Sequence, residues 1–253
     1  MVHIVSVYSY RGGTGRSNTV ANLAVLLAQR GKRVAVIDTD LQSPGIHVLF
    51  GYRSSDFSVT LNDYLLDNAA IQRAAYNITP TLPDISATPG SLFLVPASAD
   101  PTAMARVLRE GYDVHRLYDG FTKLVNAHHL DYLILDTHAG LNEELLLSAK
   151  IADTLLIVLR PDQQNYQGTD IAVDIARKLK VRHPLLLVNS TPAAIDFRHL
   201  GKQVSDRYGI EVAGVLPYAE EMAALGDSEV FAIRYPHHSI SHILNTVLDR
   251  SFR

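Results

Sequence analysis

Seven residues, Arg11-Gly12-Gly13-Thr14-Gly15-Arg16-Ser17, separate an apolar run, Val2–Tyr8, from a helix-compatible run, Asn18–Gln29. Glycines in such a gap let backbone N–H groups turn inward without a Cβ clash. A helix N-terminus directly behind them adds unpartnered amides and partial positive charge. Strand, glycine-rich turn and helix together make a cradle for phosphate. The arrangement also restricts the fold: such a βα unit belongs in a parallel sheet, whose ligands gather at the carboxyl ends of the strands.

The rest of the chain repeats the alternation. Short runs, rich in β-branched residues and apolar almost throughout, occur at Ile4–Tyr8, Val34–Ile37, Leu92–Val95, Tyr132–Leu135, Thr154–Leu159, Leu185–Val188 and Val212–Leu216. Runs of this kind suit strands buried on both faces. Amphipathic stretches lie between them at Thr19–Gln29, Asp113–Ala127, Glu143–Ala149, Gly168–Leu179 and His199–Tyr208. The expected class is α/β: a doubly wound, mostly parallel β-sheet flanked by helices, formed as one domain over residues 1–253. A length of 253 residues and an apolar content of 47% suffice for such a core. The stretch Tyr76–Gly90, with Pro80, Pro83 and Pro89, reads as a loop excursion within the domain.

Composition removes several classes of function. The chain has no cysteine, which excludes disulfides, thiolate metal sites and cysteine-ligated iron–sulfur clusters, and fits a cytoplasmic setting. No apolar run approaches the length of a membrane span, and the N-terminus lacks the features of a signal peptide. A net charge of −3 argues against bulk attraction to nucleic acid.

The loop resembles the P-loop pattern G-x-x-x-x-G-K-[ST], with Arg16 where lysine is usual. Gly12, Gly13, Thr14, Gly15, Arg16, Ser17 and Asn18 are the expected nucleotide contacts, and the Ser17 hydroxyl is a candidate Mg²⁺ ligand. The second strand leads into Asp38-Thr39-Asp40, two carboxylates suited to holding metal-bound water and orienting an attacking water. The run Tyr132–Leu135 leads into Asp136-Thr137-His138-Ala139-Gly140, a Walker-B arrangement in which Asp136 faces the metal shell. His138 beside it is expected to pack or hydrogen-bond locally. Asn189, at the end of the sixth apolar run, is a candidate for a purine edge, and Pro217 for the flat face of the base.

These pieces, in this order and over nearly the whole chain, resemble the MinD/ParA family of deviant-Walker-A P-loop ATPases. That family's loop reads K-G-G-x-G-K-[ST]; here Arg11 and Arg16 stand at both lysine positions. The resemblance implies the P-loop NTPase fold, ATP/ADP and Mg²⁺ as cofactors, and an ATP-dependent homodimer that positions or partitions a cellular cargo. By match, Arg11 reaches across to the partner's phosphates and Arg16 holds phosphates in its own subunit. Asp40 positions the attacking water, and Ser17, Asp38 and Asp136 serve the metal. An unidentified protein partner or activator is implied as well. The absence of cysteine points to the positioning branch and away from iron–sulfur carriers.

Two arginines bear on turnover. Lysine acts at such a loop as a compact point charge, whereas arginine is longer, planar and forked. A displacement of about 1 Å at a reacting centre can cost about 100-fold in rate. Nucleotide binding is therefore expected to survive and hydrolysis to be slow. The alternative is a non-hydrolysing, nucleotide-bound scaffold or regulator.

Two surfaces complete the expectations. Ile240, Ile243, Leu244, Val247 and Leu248 share one face of a C-terminal helix and are expected to pack on the sheet, not on a membrane. Arg177, Lys178, Lys180 and Arg182, with Arg198, Lys202 and Arg207, are candidates for sequence-independent contact with DNA phosphates.

Overall fold

The computed structural model describes residues 2–82, 85, 87–141 and 143–251. Pro83, part of the stretch expected to form a loop excursion, lies outside the described residues. Eight strands form one sheet: β1 (His3–Tyr8), β2 (Arg33–Asp38), β3 (Tyr76–Asn77), β4 (Ser91–Val95), β5 (Tyr132–Asp136), β6 (Thr154–Leu159), β7 (His183–Thr191) and β8 (Val212–Pro217). Their spatial order is β3-β4-β2-β5-β1-β6-β7-β8, and all pair in parallel except β3, which runs antiparallel at the edge beside β4. The longer helices are α1 (Arg16–Gln29), α2 (Pro101–Glu110), α3 (Val114–His128), α4 (Glu143–Ile151), α5 (Gln163–Lys178), α6 (Phe197–Tyr208) and α7 (Ser239–Ser251).

The near-continuous apolar strands follow from burial on both faces. Along β2, Val34 and Val36 enter one core with α1, while Ala35 and Ile37 enter another with α3. Helix α1 is itself enclosed: eleven of its fourteen residues are buried. The sheet lies on one side, and the short helix Phe231–Arg234 with α7 lies on the other. Ile240, Leu244, Val247 and Leu248 of α7 are each at most 1% exposed, so its apolar face is spent within the protein. Among the described residues no helix is long and apolar enough to cross a membrane.

Several boundaries differ from the sequence reading for identifiable reasons. Helices α5 and α6 begin earlier than periodicity suggests, at acidic N-caps: the side chain of Asp162 accepts from the Asn165 amide, and that of Asp196 from Arg198 and His199. Helix α2 was not anticipated although Met104, Val107 and Leu108 recur at helical spacing; of that short stripe only Val107 is buried, while the Asp100 side chain accepts from Thr102 and Ala103 and Pro101 fits its first turn. The excursion at 76–90 contributes β3, so the sixth apolar run is the seventh strand. Strand β7 also extends through Asn189 to Thr191, with register shifts against β8.

Candidate nucleotide site

The carboxyl ends of β1, β2 and β5 are adjacent, and the parallel register places Asp38 directly opposite Asp136. That pairing is why carboxylates distant in sequence converge beside the loop. The loop itself is shaped by Gly13 at φ +75° and Gly15 at φ +90°, a region that side-chain-bearing residues rarely adopt. Gly15 is the N-cap of α1 and supplies no side chain to its first turn, whose amides therefore face the loop without a side-chain cap. Asn189 braces the loop from β7: its Nδ2 donates to Thr14 O at 2.7 Å, and its Oδ1 accepts from the Ser190 amide at 2.8 Å. Both ends of the amide expected at a purine edge are thus engaged inside the protein. Pro217 ends β8 in register with Thr191.

Arg16 departs most from expectation. Its side chain does not lie over the loop but reaches into the carboxylates. Nε donates to Asp136 Oδ1 at 3.0 Å, Nη2 to Asp40 Oδ2 at 2.8 Å, and Nη1 to Ser9 Oγ at 3.3 Å. The pairs are enclosed, with side-chain exposures of 10% for Arg16, 7% for Asp40 and 2% for Asp136. Asp40 is held at its other oxygen too: Oδ1 accepts from the Ser43 amide at 2.9 Å and lies 2.6 Å from His138 Nδ1. The His138–Asp40 contact is one the sequence reading missed; its only trace there was the position of His138 two residues after Asp136.

Asp38 is wholly buried and accepts from the amides of Asp40, at 3.1 Å, and Gly45, at 3.2 Å. Burial, and after it the charges of Asp136 and Asp40, push its carboxyl well above the usual carboxylate range. Burial also raises Asp136, against the opposing pull of Arg16 and of a hydrogen bond from Ser17. Gly140, at φ +86°, is tied to β1, with Tyr8 Oη donating to its carbonyl at 3.1 Å. Arg11 is exposed and donates to Gln164 of α5, and it lines a groove of about 310 Å³ with Ile171.

The loop fits a phosphate group. Thr14 Oγ1 is buried and finds no hydrogen-bond partner among the described residues, and the uncapped first turn of α1 lies beside it. The donor set for a metal fits poorly. Arg16 already occupies oxygens of Asp40 and Asp136, Ser17 is hydrogen-bonded to Asp136, and amides cap Asp38. Among the described residues no group of three or more His, Asp or Glu side chains is arranged to hold a metal ion. A separate concavity of about 680 Å³, lined by His3, Asp153, Arg182 and His183 among others, opens at the amino ends of β1, β6 and β7 and contains none of the loop residues.

A family model for ParA, described as NUBPL iron-transfer P-loop NTPase, matches residues 1–251. An uncharacterized ATP-binding protein of Methanocaldococcus jannaschii is 28% identical over 248 residues, covering 93% of this chain and 82% of that protein. An iron–sulfur cluster carrier protein of Saccharolobus solfataricus is 24% identical over 260 residues, covering 97% of this chain and 81% of that protein. The septum site-determining protein MinD of Pyrococcus horikoshii, solved with Mg-ADP, superposes with a TM-score of 0.78 at 19% identity, covering 100% of this chain and 97% of that chain. The relatives thus span both cluster carriers and positioning proteins, a wider range than the absence of cysteine suggested. With a family model covering almost its full length and the glycine loop and carboxylate strands in place, the chain belongs to the ParA family of P-loop NTPases.

Proposed function

We propose that this protein is an adenine-nucleotide-dependent dimerising switch that positions or partitions a cargo, and that it hydrolyses ATP slowly. The observation that carries the reading is the pairing of a phosphate-shaped loop with an exposed arginine at its mouth. Arg11 stands free of the buried cluster, beside Ile171, which is 39% exposed. Leu141 and Leu146, at 60% and 40% exposed, follow the segment that Tyr8 ties to β1. Apolar side chains around a cationic residue suit a face that closes on a second copy.

Slow turnover is supported by Asp40. A carboxylate that positions water needs a free acceptor, and here both oxygens are engaged. The same feature favours the second reading, a nucleotide-bound scaffold without turnover. A cluster-carrying role has no thiolate ligand in this chain. DNA contact is less favoured than the sequence suggested, because Arg182 pairs with Asp153 at 3.2 Å and Arg207 with Asp170 at 2.9 Å.

Sizing the protein with ADP, then with ATP and Mg²⁺, tests the switch. The expected result is a doubling of mass only with ATP, abolished in Arg11→Ala; an ATP-independent monomer sinks the proposal. Phosphate release measured beside Asp40→Ala separates the two readings.

A further inference from the structure

We propose that the Arg16 guanidinium is the resident cation of the carboxylate cluster and takes the place of a divalent ion, so that this chain takes up adenine nucleotide without Mg²⁺. The inference rests on nucleotide uptake by the loop, as proposed above.

The geometry supports it group by group. The guanidinium fork bridges carboxylates that follow or end two neighbouring strands, with a different nitrogen on each: Nε on Asp136 and Nη2 on Asp40. The third nitrogen meets Ser9 Oγ. An ammonium group is a point charge on a shorter stem and lacks this planar fork. Each further group that a hydrated metal ion would address also has an internal partner. Ser17 is bound to Asp136, and both oxygens of Asp38 are capped by amides. The pairs are shielded from water, so salt screens them little. Inserting a divalent cation would set like charges side by side in a region of low dielectric, or would require expelling a buried arginine from two carboxylates. The charge of a triphosphate is instead answered by the uncapped amides of the α1 N-terminus and by Arg11.

Two measurements on the purified chain and on Arg16→Lys test this. First, ATP affinity is measured by calorimetry in EDTA and in Mg²⁺. The unmodified chain is expected to give dissociation constants equal within about threefold, while Arg16→Lys, which opens the cluster, gains about tenfold or more from Mg²⁺. Second, Mn²⁺ alone is titrated into nucleotide-free protein and followed by electron paramagnetic resonance. No uptake is expected by the unmodified chain, and uptake by Arg16→Lys.

The assignment is overturned if Mg²⁺ tightens ATP binding about tenfold in the unmodified chain. Mn²⁺ uptake by that chain, or identical behaviour of the two proteins, overturns it too. Absence of ATP uptake in both buffers defeats the nucleotide reading itself. Mn²⁺ uptake with ATP binding intact defeats only the role given to Arg16.

Discussion

Replacing Gly15 with alanine tests the loop geometry most directly. Two costs are separable. Holding a side-chain-bearing residue at φ +90° costs about 1–2 kcal/mol. The new Cβ would also lie 2.3 Å from Asn189 Nδ2, so the amide must move and release Thr14 O. Leaving such buried groups unpaired costs about 1–3 kcal/mol. Gly15→Ala is therefore expected to lose about 2–5 kcal/mol of stability in urea unfolding. Asn189→Ala alone should lose about 1–3 kcal/mol, because Thr14 O and the Ser190 amide lose their partner. In the double variant the collision is gone and only the backbone cost of Gly15→Ala is added, so the pair should fall short of additivity by about 1–3 kcal/mol. If the two changes add within about 0.5 kcal/mol, or Gly15→Ala costs less than that, the account of the brace is wrong.

Two other expectations concern stability. His47 is 3% exposed, its Nδ1 lacks a partner among the described residues, and burial holds its imidazole below the usual value. A base depressed in the folded state costs nothing above its unfolded pKa near 6.5, and destabilises as pH falls through that value. His47→Gln should therefore gain on the parent as pH falls from 8 to about 5 in urea midpoints; a constant difference refutes this. Leu244→Ala should cost about 2–5 kcal/mol, because the side chain is 1% exposed against the α1 layer, and it should create no affinity for lipid vesicles. A loss below about 1 kcal/mol in the same melts would mean that α7 is not packed as described.

The layered sheet was legible in sequence because each central strand is apolar on both faces, as Val34 to Ile37 illustrate. The convergence of Asp38 and Asp136 was legible for the same reason: strand ends in a parallel sheet lie side by side. Helix α2 was not, although Asp100 caps it and Met104, Val107 and Leu108 carry its periodicity, because that stripe covers little more than one turn between Pro101 and Gly111. The direction of Arg16 was also hidden. Spacing retains its charge but says nothing of where a long side chain ends. Only the three-dimensional approach of Asp40, Asp136 and Ser9 gives the guanidinium a better set of acceptors than the loop. Asn189 shows the same limit: its residue type announces two-sided hydrogen bonding, and the fold chooses the partners.

The confinement of α1 between the sheet and the C-terminal layer has a mechanical corollary. Gripped on both flanks, and clamped at its far end where Arg30 meets Asp249 at 2.7 Å, that helix works as an anvil and not as a lever. A signal from the loop is therefore expected to pass to the segments that follow β2 and β5 and carry Asp40 and Gly140, so a label at residue 43 or 141 should respond to a ligand and one at residue 28 should stay silent.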